Sequence, residues 1–558
     1  MENNDDLPTI DFADRGRWPQ IGGADIELAN FMTGVDPARS NIAAAKAILA
    51  AFDGVSSPAE KDEPPSFYSE ASQSDRPAFN PQDWCRKWSM VNGSCCYIDM
   101  SHVELALPEI TSAKQFVAYW HAMLLIVMRA RESANQRLPA GRHIELVANN
   151  SDGHGTSSWG AHLNFGLPRR AFDRILHEKV HHLLFLAGFQ ASSMIFTGQG
   201  KAGSENGRPH VDFQLSQRAD FIETVSGWQT TYRRPIVNLR DEALCGRPDL
   251  ADFSPRAADK WARLHVIFYD STLSHVANFL KFGTMQIVLQ MIAEGWVDTT
   301  LLLEDPLEAV QVWSHDITLR STAMLLTGGA AGEGGRRVTA LELQFRIHEH
   351  ARRFVEEDRC RVPDAPEILD LWQDTLLKLQ ANDWPALAPR LDWVHKWMLI
   401  THAMRRDPKL TWGSVQVKHL DHQWASLNPS QGLYWAMDRV GAVEHIVTER
   451  QIAHAMVEPP DTRAFARAAL LKMAAPGQIA DVNWDSIRFK VHTPAGRATR
   501  TLELPDPHLT RDCFERLTRG CNTLDDVLDV LGAAPPVTAK VPATIATYGR
   551  TWRHDYTE

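Results

Sequence analysis

Two acidic, strand-like stretches constrain the fold of this chain most. In GGADIELANF, Asp25 and Glu27 are two residues apart, and in CCYIDMSHVELALPE the same spacing separates Tyr97 from Asp99. Side chains two residues apart on a β-strand point to the same face of the sheet. Each stretch therefore presents its polar side chains together, while the apolar residues between them point to the opposite face. The pattern predicts a sheet with one apolar face and one acidic face.

A further carboxylate, Glu104, lies five residues beyond Asp99. It shares the face of Asp99 only if a turn or a bulge intervenes, and Met100-Ser101-His102 could supply one. Crowded carboxylates raise one another's pKa and cost stability, and a hard divalent cation with oxygen ligands removes that cost. Mg²⁺ is the cation that we expect here. The alternative is that Asp25 and Glu27 are solvated residues on the outer face of an antiparallel sheet.

Composition excludes several classes of protein. The chain has 558 residues, and its net charge of -11 comes from 69 acidic against 58 basic residues without a long basic block, so nucleic acid is not an expected partner. Hydrophobic residues make up 44%, but no apolar run is long enough to span a bilayer, and the first residues lack the apolar core of a secretion signal. The seven cysteines show no CxxC spacing. We expect a reduced, cytoplasmic protein without a membrane segment.

The order of predicted elements indicates the fold class. Helical periodicity is clear in residues 113–133 and 273–295, and Asp305 followed by Pro306 is typical of a helix start. Strand-like runs alternate irregularly with these helices, at residues 143–150, 213–225, 234–239 and 263–271. Irregular alternation favours an α+β fold with a mainly antiparallel sheet over repeated βαβ units.

The length predicts one large domain and a smaller one. Residues 1–458 form the predicted catalytic domain, with a helical, Trp-rich part at 366–454, and residues 459–558 form a small C-terminal α/β domain. Within the large domain, residues 53–82 are rich in Pro, Ser and charge, which predicts a flexible loop, either a lid over the site or a tolerated insertion. The Gly-rich residues 327–337 predict a second connector.

Polar residues elsewhere could bind an anion or a substrate. His162 and Asn164 share one strand face, and each of Arg218, Arg240 and Arg263 sits in apolar, strand-like sequence. A guanidinium in that setting needs a partner, which can be a phosphate, a substrate carboxylate or a neighbouring acidic residue. TGQGKAG at residues 197–203 is a weak phosphate-loop signal, and a plain turn explains it as well.

Taken together, these segments resemble one family: the ligase and deamidase/depupylase enzymes that act on the prokaryotic ubiquitin-like protein Pup, which are relatives of glutamine synthetase. The resemblance covers most of residues 22–486 and rests on GADIELANF, NGSCCYIDMSHVELALPE, NNSDGHGTSSWGAHLNF, TGQGKAG, FQLSQRADFIE, TTYRRPIVNLRDE, RLHVIFYDSTLSHVANFLKFGT and LDWVHKW. It implies a glutamine synthetase-like large domain with a concave, mainly antiparallel sheet backed by helices. The spacing from Asp99 to His102 is similar to that of the deamidase/depupylase branch.

The resemblance also implies roles for single residues. Asp99 would be the catalytic carboxylate, acting on a side-chain amide or isopeptide. Mg²⁺ would be held by Asp25, Glu27, Tyr97 and Glu104. ATP, or ADP with phosphate, and the substrate would be bound by Arg218, Arg240, His265, His162 and Asn164. The expected partner is a Pup-like protein or a small carboxylate or amide, with a role in a proteasome pathway.

Three positions depart from the family pattern. Asp25 stands where glutamate is usual, Leu163 replaces the glutamate of a His-Glu-Asn motif, and Val103 stands where proline is usual. These changes keep two other functions open. One is an ATP-dependent carboxylate-amine ligase, and the other is a non-catalytic nucleotide-binding scaffold.

Overall fold

A computed structural model describes residues 20–57, 86–155, 157–245, 261–326, 336–494 and 496–533, and the backbone of 537–538. The strands are β1 Gly22–Thr33, β2 Val55–Ser57, β3 Arg86–Trp88, β4 Cys95–Asp99, β5 His102–Ala106, β6 His143–Val147, β7 Ala161–Pro168, β8 Lys201–Ala202, β9 Phe213–Gln214, β10 Ile222–Gly227, β11 Arg234–Asn238, β12 Trp261–Val266, β13 Thr322–Met324, β14 Arg337–Thr339, β15 Ile479–Val482, β16 Ser486–Thr493, β17 Gly496–Glu503 and β18 Val537–Thr538.

Helices fill much of the remaining chain. They are α1 Pro37–Ala51, α2 Ala113–Asn135, α3 Arg169–Asp173, α4 Val180–Thr197, α5 His275–Ala293, α6 Pro306–Ser314, α7 Ala340–Glu356, α8 Ala365–Ala381, α9 Trp384–Leu387, α10 Asp392–Arg406, α11 Val415–Trp424, α12 Leu433–Arg439, α13 Glu449–Val457, α14 Arg463–Met473, α15 Arg511–Leu517 and α16 Leu524–Val530. Segregated helices and antiparallel strands make this an α+β fold, as predicted.

The largest sheet carries the acidic strands. Its strands run in the order β12-β7-β1-β5-β4-β3-β2, with β6 paired to the far end of β1, and each of these pairs is antiparallel. Along the whole of β1 the buried residues alternate with less buried ones. The period of two matches the sequence pattern and separates an inward, apolar face from the face that carries Asp25 and Glu27.

The inward face packs on two long helices. The ring of Phe282 in α5 lies 4.8 Å from the ring of Phe165 in β7 and 4.8 Å from that of Phe116 in α2. Of the helices described, His275–Ala293 is apolar and long enough to cross a membrane, but 94% of its apolar window is buried within the protein. It is therefore a core helix of this fold.

The opposite face of the sheet is covered at one end by the C-terminal strands. The apolar cluster there joins Trp88, Cys95 and Tyr97 of the large sheet to residues of α14 and of the antiparallel sheet β15-β16-β17-β18. Glu109, just beyond β5, forms ion pairs with Arg463 and Arg467 of α14. The C-terminal segment thus closes one end of the acidic face.

Several predicted segments differ from the structure; the strands predicted at 143–150 and 263–271, for example, end at Val147 and Val266. The strand predicted at 213–225 is divided into β9, a helical turn at Ala219–Phe221, and β10. The break occurs because the backbone N–H groups of Gln217 and Arg218 turn to donate to the carboxylate of Asp270. Residues 327–335 of the predicted connector lie outside the described residues. Its last residue, Arg337, begins β14.

The loop predicted at 53–82 begins as ordered structure. Residues 55–57 form β2, which pairs with β3, and Ser57 Oγ donates to Asp481 Oδ1 at 2.9 Å. Pairing with β3 and the hydrogen bond to Asp481 therefore order residues 55–57 despite their loop-like composition. Residues 58–82 lie outside the described residues, so the lid hypothesis stays a prediction.

Candidate functional site

A tight hairpin brings the acidic residues of β4 and β5 together. Met100 and Ser101 connect the two strands with φ values of 44° and 79°, the left-handed pair that a two-residue turn of the primed type requires. Asp99 is then paired with His102, and Tyr97 with Glu104. The turn predicted at this position is present, and it places these four side chains on one face.

The neighbouring strand completes the first acidic group. Glu27 of β1 lies directly opposite Glu104 of β5. One carboxylate oxygen from each of Glu27, Asp99 and Glu104 lies within 4.8 Å of the others. Glu27 is held by Gly160 N, at 3.0 Å, and by His102 Nδ1, at 3.0 Å.

Glu104 is the most constrained member of this group. Its side chain is buried, and its Oε2 atom forms no hydrogen bond with any residue that the structure describes. Burial, with the nearby charges of Asp25, Glu27 and Asp99, raises the pKa of Glu104 well above its usual value. A buried carboxylate beside other carboxylates is a possible ligand for a divalent cation, whose charge would offset the repulsion.

A second group forms next to the first and mixes a carboxylate with imidazoles. Ligand atoms of Asp25, His162 and His265 lie within 4.8 Å of one another. His162 Nδ1 lies 2.9 Å from Asp25 Oδ2, and Asn164 Nδ2 donates to Asp25 Oδ1 at 2.5 Å. The acidic residues that the sequence treated as one set, Asp25 and Glu27, thus belong to two adjacent groups.

Electrostatics distinguish this second group from the first. Burial by itself would raise the pKa of Asp25, but the hydrogen bond and charge of His162, together with His265 and Asn164, bring it below the usual value. Burial lowers the pKa of His265 well below its usual value. His265 is therefore neutral at physiological pH and keeps a lone pair for a metal or a proton donor.

Gly160 allows the two groups to approach each other. A Cβ atom at this position would lie 2.2 Å from Nε2 of His162. The same residue donates its N–H to Glu27 and accepts from the backbone N–H of Glu27 at 3.0 Å. Any larger residue at 160 would displace the His162 ring or the strand.

Two residues of this region were missed by the sequence analysis. The guanidinium of Arg86 lies 4.9 Å from the ring centre of Tyr97, and its side chain is buried beside the acidic face. His102 contacts Glu27, as given above. Arg86 lies in WCRKW, where Trp84, Cys85 and Trp88 flank it in the sequence, so the criterion applied to the three arginines could have found it.

Both groups open into one cavity of about 860 Å³. That volume suits a nucleotide-sized ligand. Polar residues from β1, β4, β5, β7, β11, β12 and the segment after β11 line it, among them Asp25, Glu27, Tyr97, Asp99, Glu104, His162, Asn164, Arg234, Arg240, Arg263 and His265. The structure therefore brings together nearly all of the predicted site residues.

Arg218 is placed differently from the other predicted residues. It is fully buried and does not line the cavity. Its guanidinium donates to the backbone carbonyls of Ile267, at 2.9 Å, and of Trp159. Burial lowers the pKa of Arg218 to about 9, so the group stays charged at neutral pH and supports the cavity wall from behind.

The lysine of the glycine-rich segment TGQGKAG forms ion pairs within the protein. Lys201 is buried, and its Nζ donates to Glu205 Oε2 at 2.8 Å and to Asp220 Oδ2 at 3.0 Å. Asp220 also contacts His315 Nε2 at 2.9 Å. Lys201 thus takes part in a buried ionic network, in agreement with the turn interpretation.

The chain is similar to curated enzymes over most of its length. It is 36% identical over 405 residues to the depupylase of Acidothermus cellulolyticus, which covers 72% of this chain and 74% of that relative. It is 34% identical over 403 residues to the Pup deamidase/depupylase of Mycolicibacterium smegmatis, with the same shares covered. The Pup--protein ligase of Acidimicrobium ferrooxidans is 34% identical over 435 residues, which is 77% of this chain and 88% of the ligase.

Solved structures have the same fold. The complex between the prokaryotic ubiquitin-like protein Pup and its ligase PafA superposes with a TM-score of 0.69 at 23% identity, covering 92% of this chain and 91% of that one. The Pup ligase PafA in complex with ADP superposes with a TM-score of 0.63 at 25% identity, covering 80% and 90%. The family described as Pup-ligase protein matches residues 21–488. The chain belongs to the Pup-ligase protein family.

Proposed function

We propose that the protein is an ATP- and Mg²⁺-dependent hydrolase that cleaves a side-chain amide or isopeptide bond of a Pup-like protein. The relatives named as depupylases, up to 36% identical, support this reaction class. The observation that carries the proposal is the Glu27, Asp99 and Glu104 group, which lines a cavity of nucleotide size.

The finer architecture belongs to the same proposal. Residues up to 458 would form a glutamine synthetase-like domain, with its sheet concave toward the cavity, and residues from 459 a small C-terminal domain. The ionic contact of Glu109 with Arg463 and Arg467 would then join the two domains beside the site. The large share of the ADP-bound ligase structure that superposes supports the first part.

The residues present fit a divalent cation and a nucleotide. The buried Oε2 atom of Glu104 makes no hydrogen bond with a described residue, and it lies in a group of three carboxylates. Glu27, Glu104 and Tyr97 would hold one Mg²⁺ ion, and Asp25 with His162 and His265 a second cation. When bound, the cations would supply positive charge for the phosphates of the nucleotide and for the developing charge of the reaction.

Other side chains that line the cavity would bind and orient the ligands. Arg240 and Asn164 line the cavity close to the second group. A guanidinium and an amide suit phosphate oxygens or a substrate carboxylate, because both donate paired hydrogen bonds. Arg218 would act by holding the wall that carries Trp159, since it does not line the cavity.

Asp99 would be the catalytic residue. Its carboxylate would attack the carbonyl carbon of the amide or isopeptide, or would take a proton from the water that attacks. Water then adds across the bond, so that the products are a carboxylate and ammonia or a lysine amine. His102 would hold Glu27 in place through its 3.0 Å contact and leave Asp99 facing the substrate.

A second candidate function is amide-bond formation by the same site. The Acidimicrobium ligase is 34% identical to this chain, and 88% of its length is covered, more than for the depupylases. A ligase would consume one ATP for each amide formed and would need both an amine and a carboxylate.

Counting nucleotide against product separates these functions. Purified protein would be given Mg-ATP and a Pup-like peptide ending in glutamine, with ADP counted and the peptide followed by mass. About one ADP per enzyme with many deamidated peptides is the result expected for a nucleotide kept as a cofactor. One ADP per product, formed only when an amine and a carboxylate are both added, would replace the hydrolase by the ligase.

A further inference from the structure

The apolar face of β1 contains one buried amide. The inward positions of this strand are Ala24, Ile26 and Leu28, then Asn30 and Met32. Asn30 is only 2% exposed, and burying an amide among apolar side chains costs free energy unless its donors and acceptor are satisfied. Its location thus requires partners nearby.

Those partners are backbone groups of the hairpin formed by β4 and β5 and of α1. Asn30 Nδ2 donates to Ser101 O at 3.0 Å and to Asn41 O at 2.7 Å, and Asn30 Oδ1 accepts from Val103 N at 2.7 Å. The contact with Val103 requires a residue with a backbone N–H, which a proline at 103 would lack. One side chain therefore binds both sides of the turn between β4 and β5 and ties that turn to α1.

The turn needs such support because neither central residue is a glycine. Met100 and Ser101 adopt φ values of 44° and 79°, a region that side chains with a Cβ disfavour and that asparagine and glycine occupy readily. Asp99 and His102 are the residues that flank this turn. A change in its conformation would move the Asp99 carboxylate and the His102 ring that contacts Glu27.

We propose that Asn30 is a positioning residue that holds the Met100-Ser101 turn in the conformation that aims Asp99 into the cavity. This inference rests on the proposed role of Asp99 as the catalytic carboxylate. Asn30 acts through the backbone of the hairpin, since each of the polar bonds given above is made to a main-chain atom. Although Asn30 is among the residues that line the cavity, it is only 2% exposed and its amide is committed to these bonds, so its contribution should appear in kcat and leave nucleotide affinity unchanged.

The test replaces Asn30 by leucine, which suits the apolar face but makes none of these bonds. Ser40→Ala is the matched control, because Ser40 Oγ bonds both Met32 N and Met32 O at 2.9 Å and so links the same strand to the same helix without touching the turn. The readouts are kcat, the dissociation constant for ADP, the melting temperature, and amide hydrogen exchange of the peptide that spans residues 97–106.

We expect Asn30→Leu to lower kcat by about 100-fold, the size of effect that a misplacement of about 1 Å produces, with unchanged ADP affinity and faster exchange at the turn. Ser40→Ala should lose stability and keep kcat. Adding Met100→Asn and Ser101→Gly to Asn30→Leu should restore protection and much of kcat, because that dipeptide favours this turn without help.

Several results would overturn the proposal. These are unchanged exchange at residues 97–106 in Asn30→Leu, a fall of kcat equally large in Ser40→Ala, or a loss that the Asn-Gly turn does not rescue. Hydrogen exchange also separates this inference from the proposed function. If the wild-type protein turns over no Pup-like peptide, the proposed function fails, while faster exchange in Asn30→Leu would still establish that Asn30 holds the turn.

Discussion

At the scale of single residues, the site is built from carboxylates whose surroundings differ. Burial among like charges raises the pKa of Glu104. Burial would also raise the pKa of Glu27, but the hydrogen bond and charge of His102, the charge of His162 and the N–H of Gly160 together lower it. Asp25 has an imidazole and an amide as partners. These differences accord with the proposed roles, in which Glu27 and Glu104 would hold one cation and Asp25 would hold a second.

The first residue-scale prediction concerns Asp99. Asp99→Asn should fold, bind Mg-ATP and lose turnover, because the amide has nearly the same shape but is neither a nucleophile nor a base. Turnover of a glutamine-ending Pup-like peptide and binding of a fluorescent ATP analogue would be measured. Asp212→Asn, at an exposed position outside the cavity, is the control. Loss of nucleotide binding in Asp99→Asn would assign that carboxylate to cation binding instead.

The second prediction concerns the charge of Glu104. Glu104→Gln should be at least as stable as the wild type without divalent cations, because it removes a buried charge from beside Asp25, Glu27 and Asp99. It should also lose most of the stabilisation that Mg²⁺ gives the wild type. Melting temperatures with and without MgCl₂ would be compared. An undiminished Mg²⁺ shift in the variant would exclude Glu104 as a ligand.

At the scale of elements, some structures follow from local sequence signals and others depend on contacts with distant segments. The helix predicted from Asp305 and Pro306 begins there, since Asp305 Oδ1 accepts from Leu307 N and Glu308 N at 2.9 Å each. The hairpin of β4 and β5 was foreseen only as a turn or bulge, because its central residues carry no Asn-Gly signal. Its geometry depends on Asn30, more than 70 residues away along the chain.

The helix start supports a prediction of its own. Asp305→Ala should lower the free energy of unfolding by about 1 kcal/mol, because it leaves two backbone N–H groups of α6 without their side-chain acceptor. Glu304→Ala, an exposed neighbour whose side chain caps nothing, should have little effect. Chemical denaturation of both variants checks this. Equal stabilities for the two would mean that water replaces the cap at no cost.

At the scale of the whole molecule, one buried ionic cluster links the acidic sheet to the C-terminal segment. Glu109 Oε1 accepts from Arg463 Nε and Arg467 Nη1, each at 2.9 Å, and Glu109 Oε2 accepts from Arg467 Nη2 at 2.6 Å. The guanidinium of Arg467 also lies 4.8 Å from the ring centre of Trp88 and 5.0 Å from that of Trp484. Both rings belong to the apolar cluster that joins the large sheet to the C-terminal strands.

The cluster makes stability depend on pH. Burial would raise the pKa of Glu109, but Arg467 and Arg463 lower it from 4.5 to about 2. Because the folded pKa is depressed, the contribution is complete above about pH 5 and is lost as the pH falls toward 2; at 1.36 kcal/mol per pKa unit it amounts to about 3 kcal/mol. Glu109→Gln should therefore be less stable at pH 7 and should show a flatter fall of stability below pH 5.

Urea denaturation at several pH values would measure this effect. Glu356→Gln, which removes an exposed carboxylate paired with Arg352, is the matched control and should change stability by less than about 1 kcal/mol. A Glu109→Gln variant with the same acid sensitivity as the wild type would show that other carboxylates control the acid transition.

The sequence by itself determined the α+β class, the start of α6, and the polar faces of β1 and β4 that carry Asp25, Glu27, Tyr97 and Asp99. These follow from periods of two and 3.6 and from short capping motifs, which depend only on neighbours in the chain. The tertiary structure decided which carboxylates meet, because strand register places Glu27 opposite Glu104 and Asp25 opposite His162. It also placed Arg218 behind the wall, Arg86 beside Tyr97 and Asn30 beneath the turn. Those placements arise from contacts between segments that are distant in the chain, and no local sequence pattern indicates them.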